Sequence, residues 1–201
     1  QCQRCPHGKR AGCWQRHDAD DPRLGEPLCA RCYQTGAQVL WNALAGPLWS
    51  RTTIYLHRAL ARLAGVTEAD LRGAVRISFA KVAEYQKRGA VHFHAIIRLD
   101  ARTDGGCPTC VASPPAGFSA DLLEQAVRQA AATVAVPCPM VDEDQGVTLI
   151  ARWGEQLDVR HIIEAGDDQE LSAEQVAGYI AKYATKATEA LGVTLDHSLG
   201  E

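Results

Sequence analysis

The period of the hydrophobic residues changes at Val75, and this change sets what the chain can build. From Gly36 to about Ala64 the apolar positions Val39, Leu40, Leu44, Leu48, Leu56, Leu60 and Leu63 recur at helical spacing, with Pro47 expected to break the run into two pieces. After Val75 the spacing becomes two. Val75 to Tyr85 reads as a strand, Lys87-Arg88-Gly89 as a turn, and Val91 to Asp100 as a second strand. In that second strand Val91, Phe93, Ala95, Ile97 and Leu99 alternate with His92, His94, Ile96 and Arg98. Such a hairpin fixes which side chains are neighbours. His92 and His94 share one face and Phe93 takes the other. With the turn centred on Arg88, Glu84 falls opposite His92, roughly 5 Å away at Cβ. Two imidazoles and one carboxylate then converge, a mixed N/O set suited to Mg²⁺ or Mn²⁺ with positions left open, and one that also admits Zn²⁺.

The remaining elements are short. Thr67 and Asp70 mark the start of a helix running to about Ala74. Ser119 to Val136 is an amphipathic helix ended by Pro137, and residues 137–146 read as loop. Val147–Trp153 and Gln156–Ile163 read as strands, and Ser172 opens a final helix to about Ala190. Helices mixed with hairpin strands, without βαβ alternation, predict an α+β domain with an antiparallel sheet. At 46% hydrophobic and 22% charged residues, the 201-residue chain suits one domain with a small appendage. It has no apolar run long enough to span a membrane and no export signal at its start. Because residue 1 is Gln, it reads as part of a longer protein.

Residues 1–34 form the appendage. They lack periodic apolar residues but hold Cys2, Cys5, Cys13, His17, Cys29 and Cys32. Cys29-x-x-Cys32 is one half of a structural Zn²⁺ site. The other half is either Cys2/Cys5 or a pair drawn from Cys5, Cys13 and His17. Cys107, Cys110 and Cys138 are a weaker second zinc set, with His161 as a possible fourth ligand. Paired cysteines at this spacing suit a reducing, cytoplasmic compartment better than a disulfide framework. Residues 35–201 are expected to form the core.

Charge is segregated along the chain. Residues 1–100 hold 15 Lys/Arg against 8 Asp/Glu, and residues 101–201 hold 6 against 16. A basic half is compatible with a nucleic-acid face. Arg152, Gln156 and Arg160 on the predicted strand are candidate DNA contacts, as are Lys87 and Arg88 at the turn. On the last helix Tyr179, Lys182, Tyr183 and Lys186 fall within an arc of roughly 100°. An ammonium group beside a phenol favours the phenolate and can neutralise a phosphate. A Tyr pair at that spacing is also ordinary core packing.

Taken together, these motifs resemble the HUH endonucleases. His92-Phe93-His94 matches the family's His–hydrophobic–His motif. Glu84, eight residues earlier, matches the acidic ligand of its replication-initiator branch. Tyr179/Lys182 and Tyr183/Lys186 match its Tyr-x-x-Lys motif, in the tandem form of bacteriophage gene-A initiators. Pro22–Tyr33, Leu48–Gly65, Lys81–Leu99, Arg152–Arg160 and Ala177–Thr188, about half the chain, are similar to replication initiators of actinomycete plasmids and integrative conjugative elements. The resemblance implies an antiparallel sheet of four to five strands with flanking helices. It implies metal-assisted nicking of single-stranded origin DNA through a 5′-phosphotyrosine, with the freed 3′-OH priming rolling-circle synthesis beside a host helicase and polymerase. It also implies a strand before the hairpin, expected upstream of Gln1 because Arg51–Leu56 reads as helix. Relaxases and transposases share the chemistry. The readings from other classes are a zinc-containing DNA-binding module without catalysis and a metal-dependent hydrolase of small substrates.

Overall fold

A computed structural model describes residues 4–18, 21–102, 112–142, 147–155 and 157–162, together with 177, 178 and 181. Elements follow in the order α1 (Thr35–Ala64), α2 (Glu68–Ala74), β1 (Val75–Tyr85), β2 (Val91–Ala101), α3 (Ala120–Thr133), β3 (Val136–Asp142) and β4 (Val147–Ala151). This is an α+β arrangement. Among the described residues its strands pair as two separate antiparallel sheets, β1–β2 and β3–β4.

The long helix α1 is the spine. It runs unbroken through Pro47, contrary to the expected break. An interior proline removes one hydrogen bond and crowds the preceding turn, at about 3 kcal/mol. The pyrrolidine ring here lies on the exposed side, while Ala45 and Leu48 beside it are buried at 1% and 0% exposure. Packing on both sides of the proline holds the helix together. The helix ends at Gly65, whose φ of 69° lets its N–H and that of Val66 reach back to the last carbonyls. Thr67 then caps α2, accepting a hydrogen bond from the Asp70 N–H as expected. Ser119 caps α3 in the same way.

Leu56, Leu60, Leu71, Val75, Leu99, Ala126 and Ala130 form the main core between α1, α2, α3 and one face of the β1–β2 hairpin. The alanines of α3 allow close approach to α1. Leu48, Val134 and Val136 make a second cluster under β3, joined by Trp41 and Trp153.

Two strand assignments differ from the sequence reading. Residues 136–142 form β3, although Pro137 and Pro139 suggested a loop. Prolines cannot donate to a ladder, and the pairing with β4 shifts register between Pro137 and Val141. Val134, Val136 and Cys138 nevertheless alternate into the core, and that burial keeps the segment extended. Conversely, the described part of the expected strand Gln156–Ile163, residues 157–162, does not form one. Apart from a single bridge at Ile162, the described residues 157–162 are irregular. They are tied by Arg128, which donates to the Leu157 carbonyl, and by His161 against Glu124. Helix α3 ends at Thr133, short of Val136, because the chain turns into β3. Arg51–Leu56 is helical, as read. No helix among the described residues is long and apolar enough to cross a membrane.

Candidate functional site

The β1–β2 hairpin has the register read from the sequence. Glu84 pairs with His92, and Val82 with His94. One face carries Val75, Ile77, Phe93 and Leu99 towards the helices. Phe93 packs edge-on against Trp49 and Trp153, with ring centroids 6.2 and 5.9 Å away. The Lys81 ammonium lies 3.8 Å from the Phe93 centroid. Burial holds the Lys81 ammonium below its ordinary pKa. With Phe93 anchored on that side, strand alternation turns both histidines to the opposite face.

On that face one ligand atom each from Glu84, His92 and His94 lies within 4.8 Å of the others. His94 Nε2 is 3.1 Å from the Glu84 carboxylate, and the two imidazole centroids are 4.7 Å apart. His94 is half-buried, and His92 keeps more of its surface open while its ring is partly desolvated. Burial, then the neighbouring His94, holds His92 below the usual histidine range, against the pull of Glu84. A neutral imidazole has the free lone pair a metal needs. The donor set and the open side at His92 fit a divalent ion such as Mg²⁺ or Mn²⁺ with room for an exchangeable ligand.

A second cluster lies in the N-terminal segment. Cys5, His7, Cys29 and Cys32 each offer an atom within 4.8 Å of the rest. His7 Nδ1 is 3.2 Å from the Cys32 sulfur and 3.7 Å from that of Cys29. Three thiols and an imidazole are a tetrahedral zinc set. Two tight turns make it: Gly8 N–H donates to the Cys5 carbonyl, and Cys32 N–H to that of Cys29. His7 was not among the expected ligands, and the structure identifies it. The signal that could have found it is its place two residues after Cys5. Cys13 and His17 stand apart from this cluster. Cys13 Sγ lies 3.0 Å from His17 Nε2, and His17 Nδ1 lies 2.8 Å from Asp21, which Arg23 also pairs.

The other expected residues divide into three groups. Lys87 and Arg88 are exposed at the hairpin turn beside Glu84 and His92, with the Lys87 ammonium on the Pro22 carbonyl at 2.6 Å. Arg152 is exposed just after β4, not on a strand, and Arg160 pairs with Asp158. The departure from strand begins where Trp153 turns inward to donate to Thr52 Oγ1. Cys138 is buried on β3 and joins no metal-ligand cluster among the described residues, while His161 is engaged by Glu124 at 2.9 Å. Cys2, Cys107, Cys110, Gln156, Tyr179, Lys182, Tyr183 and Lys186 lie outside the described residues.

Comparison with known proteins adds the family. A replication initiator protein of Streptomyces ambofaciens is 46% identical over 193 residues, which cover 94% of this chain and 40% of that protein. The chain thus spans well under half of that relative's length. No solved structure matches it. The family model for RepSA, described as "Replication initiator protein, pSAM2", matches residues 1–200, and the chain belongs to that family.

Proposed function

We propose that this chain carries the nicking core of a replication initiator that uses HUH chemistry on single-stranded origin DNA. The observation that carries the reading is the convergence of Glu84, His92 and His94 on one hairpin face. Membership of a replication-initiator family supports it. Under this reading the hairpin is the heart of a four- to five-stranded sheet, with residues 35–201 as the catalytic core and residues 1–34 as its zinc-bound extension.

When bound, Mg²⁺ or Mn²⁺ would polarise and orient the scissile phosphate. Glu84, His92 and His94 would hold the ion. Either Tyr179 or Tyr183 attacks the phosphorus in line. The Oη–P bond forms, the P–O3′ bond breaks, and the phenolic proton is lost as the departing 3′ oxygen gains one. Lys182 and Lys186 lower the cost of the phenolate and offset phosphate charge. The 5′ end stays on the tyrosine, so rejoining needs no ATP. The second tyrosine can cut again after one round and release the circle. A host helicase and polymerase would extend the free 3′-OH. Lys87 and Arg88, beside the site, and Arg152, Gln156 and Arg160 are the proposed DNA contacts.

The test is a denaturing gel of the chain with a diverse pool of labelled single-stranded oligonucleotides and Mn²⁺. EDTA, Tyr179→Phe, Tyr183→Phe and the double variant are run in parallel. A covalent adduct that requires metal and vanishes in the double variant is expected. DNA binding without any adduct, in this chain and in a longer native chain alike, would favour a zinc-containing binding module.

A further inference from the structure

The turn of the Glu84/His92/His94 hairpin is gripped from outside as well as by its own bonds. Two backbone bonds are its own, Gln86 N–H to the Ala90 carbonyl and Gly89 N–H to that of Gln86. The others come from two sources. Helix α1 supplies Asn42, whose side chain donates to the Gly89 carbonyl and accepts from Val91 N–H, and Trp41, which donates to the Val91 carbonyl. The N-terminal segment supplies the rest. Gly25 accepts from the Arg88 N–H at 3.0 Å, and the Tyr33 hydroxyl donates to the Arg88 carbonyl at 3.0 Å. Pro22 accepts from the Lys87 ammonium.

These grips sit beside the zinc ligands in sequence. Tyr33 directly follows Cys32, and Gly25 is four residues before Cys29. Gly25 suits its place twice over. Its φ is +81°, in the left-handed region, and a Cβ there would stand 3.2 Å from the Lys87 backbone nitrogen. The segment has little else to hold it, since no described residue between Arg4 and Gln34 is buried. Without a core, its shape depends on the metal cluster.

We infer that the Cys5/His7/Cys29/Cys32 site is a clamp on the hairpin turn, and that Tyr33 and Gly25 are positioning residues for Glu84 and His92. The inference rests on the reading of Glu84, His92 and His94 as a divalent-ion site. Glu84 and His92 are the second cross-strand pair from the turn. A turn gripped from both sides presents them in one geometry. A turn held by Asn42 and Trp41 alone lets their separation vary and weakens ion binding without abolishing it.

The experiment titrates Mn²⁺ into the zinc-loaded chain and follows free Mn²⁺ by electron paramagnetic resonance. The same samples are examined by amide hydrogen exchange. Wild type is compared with Tyr33→Phe, with the Cys29→Ser/Cys32→Ser pair, and with His92→Ala as the binding-dead reference. Tyr33→Phe keeps the ring and the zinc, so a folding failure is not expected. It should weaken Mn²⁺ by about threefold to tenfold, the effect of the one lost hydrogen bond. Exchange at the Arg88 amide should quicken in the zinc-free pair, while exchange at Val91, bonded to Asn42, should change less. Equal Mn²⁺ affinity and equal Arg88 exchange in wild type and the zinc-free pair would overturn the clamp while leaving the ion site intact. If His92→Ala binds Mn²⁺ as wild type does, the ion-site reading fails and the positioning role falls with it. The exchange data then still report whether zinc holds the turn.

Discussion

Asp100 is the most committed single residue in the fold. It is wholly buried at the far end of β2, 2.7 Å from Arg98 and 3.2 Å from Arg76, and accepts from Ser78 at 2.9 Å. Burial alone would raise its pKa. Arg98, Ser78 and Arg76 more than offset that and hold the carboxyl below its ordinary value. A carboxylate depressed on folding contributes stability that is fully present above its unfolded pKa of about 4 and is lost as pH falls through the folded value. Urea midpoints of wild type should therefore drop between pH 7 and pH 3. Asp100→Ala should be less stable at pH 7 by about 2 kcal/mol and lose less on acidification. Equal pH dependence in both would remove Asp100 from the account. Leu60, at 0% exposure in the main core, gives a plainer case. Leu60→Ala should cost about 2–5 kcal/mol in chemical denaturation, and a loss under 1 kcal/mol would mean that the core refills the cavity.

Elements respond to whatever packs on them. Pro47 removes an N–H that would otherwise donate to the Ala43 carbonyl, inside a helix that stays whole. Because its ring is exposed, Pro47→Ala should restore that bond without opening a cavity and raise stability by about 1–3 kcal/mol. An unchanged denaturation midpoint would show that the helix absorbs the proline at no cost. The N-terminal segment differs, offering the Cys5/His7/Cys29/Cys32 cluster, a candidate zinc set, where α1 has apolar packing. Removing zinc with a chelator should broaden or shift the backbone NMR signals of residues 4–33 while the signals of α3 stay in place. Retention of the segment's signals would show that it folds without metal.

Across the whole molecule, one spine organises two hairpins. Helix α1 carries the β1–β2 hairpin through Asn42, Trp41 and Trp49, and β3 through Leu48. The Glu84/His92/His94 face of the first hairpin points away from that spine. Its turn presents Lys87 and Arg88 beside Glu84 and His92, so a bound phosphate chain would meet cations and metal ligands together. If four to six phosphates are contacted, the logarithm of affinity for a single-stranded oligonucleotide should fall against log salt with a slope of about −3 to −4. Fluorescence anisotropy over a sodium chloride series measures it. A flat response would exclude the basic turn as a major DNA contact.

Local patterns determined much of this before any tertiary contact was considered. Strand alternation puts His92 and His94 on one face, and the position of the turn at Arg88 puts Glu84 across from His92. The Thr67 cap was legible for a similar reason, since a cap is satisfied within three residues. Other features depended on distant partners. Pro47 stays within a helix because Ala45 and Leu48 are buried. Pro137 and Pro139 lie in a strand because Val134, Val136 and Cys138 find a core. Gln156–Ile163 alternates like a strand, yet its described residues find side chains of α3 in place of a ladder. His7 enters the Cys5/Cys29/Cys32 cluster because chain folding brings Cys29 and Cys32 to it from more than twenty residues away. Sequence alone settled what neighbours along the chain could satisfy between themselves. Only tertiary structure decided where burial or a remote ligand outweighed local preference.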